Sequence, residues 1–119
     1  MREENLTPAC QRLYARIDLD AIKSNVKQLK SHLSPKCQFI AVVKADGYGH
    51  GAVPIARELE ETEGLWGFAT ATAEEAFALR RAGITAPILV LGYAFPESYE
   101  QMIAEQIRFT VFREDLPSL

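Results

Sequence analysis

A lysine at the end of an apolar run is the residue best suited to chemistry in this chain. Residues 39–43 are apolar and lead directly into Lys44, and glycine then occupies every second position from Gly47 to Gly51. Lysine is costly to bury, so its place after an apolar strand, beside a loose backbone, indicates a reactive amine suited to imine formation. Taken alone, however, such a lysine more often extends from a strand end into solvent.

The loop after this lysine has two interpretations. Its glycines allow positive φ and a close approach of backbone N–H groups to an anion at the start of a helix, but a tight turn explains them too. Tyr48 is a candidate hydroxyl donor to a phosphate oxygen, or a packing residue. His50 is assigned no chemical role, and Asp46 is expected to cap the turn.

Composition indicates one soluble globular domain of 119 residues, with 48% hydrophobic and 24% charged residues. The net charge of −3 argues against a nucleic-acid partner. No apolar run approaches the roughly 20 residues that span a bilayer, and the polar N-terminus lacks a secretion signal. Cys10 and Cys37 lack the spacing of a zinc site, so we expect no metal, and free thiols in the cytoplasm are favoured over a disulfide.

The elements that position Lys44 alternate between helices and strands. Asp18 is expected to cap a first helix, which Pro35 ends, and Thr72 with Glu75 forms a capping-box pattern before a helix that Gly83 terminates. The apolar stripe of the first helix comprises Ile22, Val26, Leu29 and Leu33. Strands are predicted at 39–43, 65–69, 88–91 and 109–112, and further helices at 53–59, 73–82 and 96–105.

Strand centres near residues 41, 67, 89 and 110 have the spacing of parallel β/α units, so the predicted fold class is α/β. A closed (β/α)8 barrel needs roughly 250 residues, about twice the length of this chain. Four strands also suit a small open sheet with helices on both faces. Residues 113–119 look like the start of another helix, which favours the truncated N-terminal half of a (β/α)8 barrel.

Residues 42–51 resemble, at every position, the pyridoxal-phosphate attachment motif of the alanine racemase family. Residues 15–22 with Asn25 look like the opening strand and helix of that family. The segments 74–76, 79–80, 82–84 and 87–92 are similar to the stretch that follows. The resemblance extends from about Arg12 to Phe112.

This resemblance implies roles for three residues. Lys44 would attach pyridoxal phosphate covalently at the mouth of the barrel, and would act as the base on one face of the substrate Cα once freed. Tyr48 would bond the cofactor phosphate. Leu91 would pack near the cofactor ring, although a core leucine at a strand end explains it nearly as well.

The resemblance also implies that the complete protein is a homodimeric racemase that makes D-alanine for peptidoglycan. In the family, the second base is a tyrosine from the C-terminal β domain of the partner subunit, and none of these 119 residues matches it. Residues 1–119 are therefore expected to be an N-terminal portion of the barrel domain that is inactive alone. The alternatives are a non-catalytic pyridoxal-phosphate carrier, an interaction fragment without cofactor, and a racemase for serine or several small amino acids.

Overall fold

A computed structural model describes residues 12–114 of the chain. Its sheet has four strands, all parallel, in the order β1-β2-β3-β4. The strands are β1 Phe39–Val42, β2 Leu65–Thr70, β3 Ile88–Val90 and β4 Ile107–Arg108. The helical elements are α1 Leu19–Ser31, the short α2 Lys44–Tyr48, α3 Ala52–Leu59, α4 Ala73–Arg81, and α5 Tyr99–Ala104 after a 3₁₀ turn at Pro96–Ser98. The predicted parallel β/α alternation is confirmed.

Side chains at the helix ends fix where the helices begin and stop. Asp18 accepts a hydrogen bond from the Ala21 N–H at 3.0 Å, as expected of an N-cap. The Thr72 hydroxyl and the Glu75 carboxylate form the predicted capping box at the start of α4. Gly83 follows α4 with φ of +92°, a left-handed conformation that suits a glycine after a helix. These local signals explain why the predicted bounds of α4 hold within one residue.

The helices and the sheet enclose one apolar core. Alternate strand residues point toward the helices, so Phe68, Ile88 and Val90 are fully buried. Ile40 and Val42 of β1 lie on the other face and remain 42% and 39% exposed, although the small Ala69 of β2 is buried there. From the helices, the core takes Ile55, Ala56, Leu59, Ala76, Phe77, Leu79 and Met102. The sheet therefore has one covered face and one open face.

Arg80 ties α4 to the segments that enter β3 and β4. Its Nη1 donates to the carbonyl oxygens of Ile84 and Ala86, at 2.9 and 2.7 Å. Its Nε donates to Glu105 O at 2.9 Å, and its Nη2 to Gln106 O at 3.2 Å. Burial lowers the pKa of Arg80, while Glu105 and Glu60 oppose that effect.

Three predicted elements need correction. The last strand lies at Ile107–Arg108, not at 109–112, because Ile107 pairs with Ile88 and fills the core at 4% exposure. Residues 15–18, where the family resemblance placed an opening strand, form no strand, because they pair with no strand of the described sheet. The helix predicted at 96–105 starts as a 3₁₀ turn. Residues 115–119 of the last predicted helix, and Cys10, lie outside the described residues, whereas Cys37 is exposed.

Candidate active site

Lys44 lies at the carboxyl edge of the parallel sheet, as predicted. The Val43 N–H donates to Ala69 O at 2.9 Å, so strand pairing continues up to the residue before the lysine. Lys44 comes shortly after Ile40 and Val42, the two residues of β1 that belong to the open face. Lys44 itself is partly buried. Active sites of parallel β/α folds are built at this edge.

The chain turns left-handed directly after Lys44. Ala45, Asp46 and Tyr48 have φ of 52°, 53° and 58°, and Gly47 between them has φ of 64°. Side chains disfavour this region by roughly 1–2 kcal/mol per residue, so tertiary contacts have to hold the turn. Backbone strain of this kind tends to occur at functional sites.

Hydrogen bonds inside the loop use most of its backbone amides. The N–H groups of Gly47, Gly49 and His50 donate to carbonyl oxygens of residues 43, 45 and 47 at 2.8, 3.0 and 3.1 Å. The Asp46 carboxylate accepts from Ala52 N–H at 2.9 Å, which confirms its expected capping role. The loop is therefore the tight turn of the second interpretation, and these amides are not arranged around an anion.

Glu75 joins this turn to the neighbouring β/α connection. Its Oε2 accepts a hydrogen bond from the Ala45 N–H at 2.6 Å. Its Oε1 accepts from the N–H groups of Ala71 and Thr72, at 2.9 and 3.0 Å. The sequence identified Glu75 only as a capping-box residue. Its contact with Ala45, thirty positions away, depends on the alignment of β1 beside β2.

Two side chains flank the turn on its solvent side. Tyr48 is 60% exposed. The Nδ1 of His50 lies 3.3 Å from Tyr48 O, within hydrogen-bond distance.

Leu91 lies at the same carboxyl edge of the sheet as Lys44. Val42 pairs with Ala69 and Ala69 with Leu89, and just beyond β3 the Leu91 N–H donates to Thr70 O at 2.8 Å. Leu91 is 39% exposed, which disagrees with a buried core leucine.

Gly92 brings β3 close to the end of β2. A Cβ at Gly92 would lie 2.4 Å from Ala71 O, so only glycine fits this approach. The close contact holds the residue after Leu91 against the same Ala71 that Glu75 binds. The carboxyl ends of the first three strands are thus linked together.

A cavity of about 350 Å³ lies beside the turn but does not include Lys44. Its wall combines Val43 and Tyr48 with Ile22 and Val26 of α1 and Ile55 of α3. It is an apolar gap between α1 and the turn, and we do not assign it as the ligand site. The chemistry available at the sheet edge is an amine, a tyrosine hydroxyl and an exposed leucine.

The fold and this edge define an α/β chain of parallel β/α units with an amine at the carboxyl end of its first described strand. A sequence model of the family described as alanine racemase, N-terminal domain, matches residues 17–116. The chain therefore belongs to the alanine racemase N-terminal domain family.

Individual relatives agree with that assignment. The chain is 45% identical over 104 residues to alanine racemase of Desulforamulus reducens, which covers 87% of this chain and 28% of the relative. It is 47% identical over 102 residues to alanine racemase 2 of Oceanobacillus iheyensis, covering 86% and 26%. The structure of alanine racemase from Clostridium difficile 630 matches with a TM-score of 0.79 at 40% identity, covering 82% and 25%.

These matches confirm the family resemblance and the barrel-type β/α fold. The chain spans about a quarter of the length of the curated relatives that it matches. Across residues 12–114, no helix is long and apolar enough to cross a membrane. The same residues contain no group of three or more metal-ligating side chains.

Proposed function

We propose that this chain provides the cofactor lysine of a pyridoxal-phosphate-dependent racemase that interconverts L-alanine and D-alanine. The proposal rests on one observation. Lys44 lies at the carboxyl edge of the sheet, in a chain that belongs to the alanine racemase N-terminal domain family. In the cell, the complete protein would supply D-alanine for peptidoglycan from the cytoplasm, as a homodimer.

The residues at the edge fit this cofactor in type. Lys44 supplies the amine for a covalent bond, Tyr48 an exposed hydroxyl for the phosphate, and Leu91 an apolar surface for the ring. Because the amides of Gly47, Gly49 and His50 already donate within the turn, we assign phosphate binding in this loop to Tyr48. When bound, pyridoxal phosphate accepts the electrons left as the substrate Cα loses its proton.

Racemisation needs acid/base groups on two faces of Cα, and we assign Lys44 to one of them. Its amine takes the proton from, or returns it to, that face. The second group belongs to sequence of the relatives that this chain does not span, so the 119-residue chain alone is expected to show no turnover.

Borohydride trapping tests the assignment of Lys44. The chain is incubated with pyridoxal phosphate and reduced, and peptide mass spectrometry then locates the fixed cofactor. We expect the label on the peptide that contains Lys44, and its loss in Lys44→Ala. Lys27→Ala is the matched control, because Lys27 is an exposed lysine of α1, away from the sheet edge.

Equal labelling of many lysines, or a label that persists in Lys44→Ala, would contradict the proposal.

A chimera separates a racemase from a non-catalytic carrier of the cofactor. Residues 17–116 replace the matching segment of the Desulforamulus reducens enzyme, and D-alanine formation is measured. Turnover that depends on Lys44 supports the racemase, whereas cofactor binding without turnover supports the carrier. Comparing L-alanine with L-serine as substrates defines the specificity.

A further inference from the structure

The carboxylate of Glu75 makes more contacts than a helix cap requires. One oxygen completes the capping box of α4 with the amides of Ala71 and Thr72. The other oxygen accepts the Ala45 N–H at 2.6 Å, in the residue next to Lys44. A single side chain thus holds the loops that follow two neighbouring strands.

The contact between Glu75 and Ala45 lies where the backbone enters the left-handed conformation. Ala45 is the first left-handed residue of the turn, with φ of 52°. A left-handed alanine is unfavourable on its own, so its conformation depends on bonds from outside the turn. A hydrogen bond from an amide to a carboxylate is shorter and stronger than one to a neutral acceptor, and it is directional.

We infer that Glu75 is a positioning residue, which sets the direction of the Lys44 amine by fixing the amide of Ala45. The inference rests on the proposed function of Lys44 as the cofactor lysine. Glu75 touches neither substrate nor cofactor in this role. It acts through the backbone, because the orientation of the peptide group between Lys44 and Ala45 determines the direction in which the Lys44 side chain extends.

Glu75→Gln isolates the second contact from the first. The glutamine oxygen still accepts from Ala71 and Thr72, but its amide group is a donor and cannot accept the Ala45 N–H. Thr72→Ala is the complementary variant, since it removes the hydroxyl of the capping box and leaves the Glu75–Ala45 contact in place. Glu74→Gln makes the same chemical change at an exposed neighbour on α4.

The first measurement is amide hydrogen exchange of Ala45 in the chain without cofactor. We expect exchange to accelerate roughly tenfold or more in Glu75→Gln, with little change in Glu74→Gln or Thr72→Ala. The second is borohydride trapping of pyridoxal phosphate. The share of label on Lys44, relative to the other lysines, is expected to fall roughly tenfold in Glu75→Gln only, because a small misplacement of a reacting group has large effects.

A purely structural role predicts a different pattern. Loss of the helix cap would then lower labelling in Thr72→Ala at least as much as in Glu75→Gln, and this result would overturn the inference. Unchanged labelling in Glu75→Gln would overturn it as well. If the unaltered chain does not label Lys44 selectively, the proposed function fails and the role toward the cofactor fails with it. Exchange at Ala45 still decides whether Glu75 holds the turn.

Discussion

At the scale of single residues, the turn after Lys44 combines local strain with tertiary support. Ala45, Asp46 and Tyr48 adopt backbone angles that usually favour glycine. The carboxylates of Glu75 and Asp46 bind the amides of Ala45 and Ala52, at the start and the end of the turn. The strain is therefore compensated by two acidic side chains from different parts of the chain.

Because of this strain, replacing alanine by glycine is expected to change the free energy of unfolding in opposite directions at two positions. Ala45→Gly should stabilise the fold by about 0.5 kcal/mol, because relief of the left-handed penalty exceeds the added chain entropy. Ala78→Gly, inside α4, should destabilise it by about 1 kcal/mol. Urea unfolding of both variants, at one protein concentration, gives the two values. Equal destabilisation would show that Ala45 is not strained.

The glycine spacing indicated only part of this site. Positive φ is observed at Gly47, Gly49 and Gly51, where the sequence allowed it. The left-handed conformations of Ala45 and Tyr48 were not predictable, because alanine and tyrosine carry no signal for them. They depend on tertiary contacts, such as that of Glu75, which exist only after β1 and β2 have aligned.

At the scale of elements, local signals determined most helix ends but not the last strand. The capping box and Gly83 act within a few residues, so α4 was placed correctly. Residues 109–112 are all aromatic or β-branched, so they favour a strand as strongly as the neighbouring segment does. Register with Ile88 selects Ile107 instead, and the Thr110 hydroxyl donates to Val90 O beyond the strand end. Pairing across the sheet is a tertiary property that a linear pattern does not contain.

Arg80 provides the clearest test of contacts between elements. Arg80→Lys should lower the free energy of unfolding by about 2 kcal/mol, because an ammonium cannot reach all four carbonyl oxygens that the guanidinium binds. Urea unfolding measures the change. Arg81→Lys, at the exposed neighbouring position, should have little effect. Similar losses in both variants would contradict a specific role for Arg80.

At the scale of the whole molecule, the described residues form a layer rather than a closed barrel. The Cα radius of gyration is 16.4 Å, against about 13 Å for a compact domain of this length. Helices cover one face of the sheet, whereas Ile40, Val42 and Leu91 leave the other partly exposed. Within residues 12–114, no strand pairs with the outer edge of β1 or of β4. Such edges and apolar faces promote association between copies.

The 119-residue chain is therefore expected to self-associate through its open sheet face as concentration rises. Ile40→Lys places a charge on that face and on edge strand β1, and should shift sedimentation toward monomer. Leu29→Lys is the matched control, because Leu29 is 70% exposed but lies on helix α1. A monomer at every concentration would contradict the prediction. An equal shift toward monomer in both variants would show that any added positive charge, rather than a charge on the open face, reduces association.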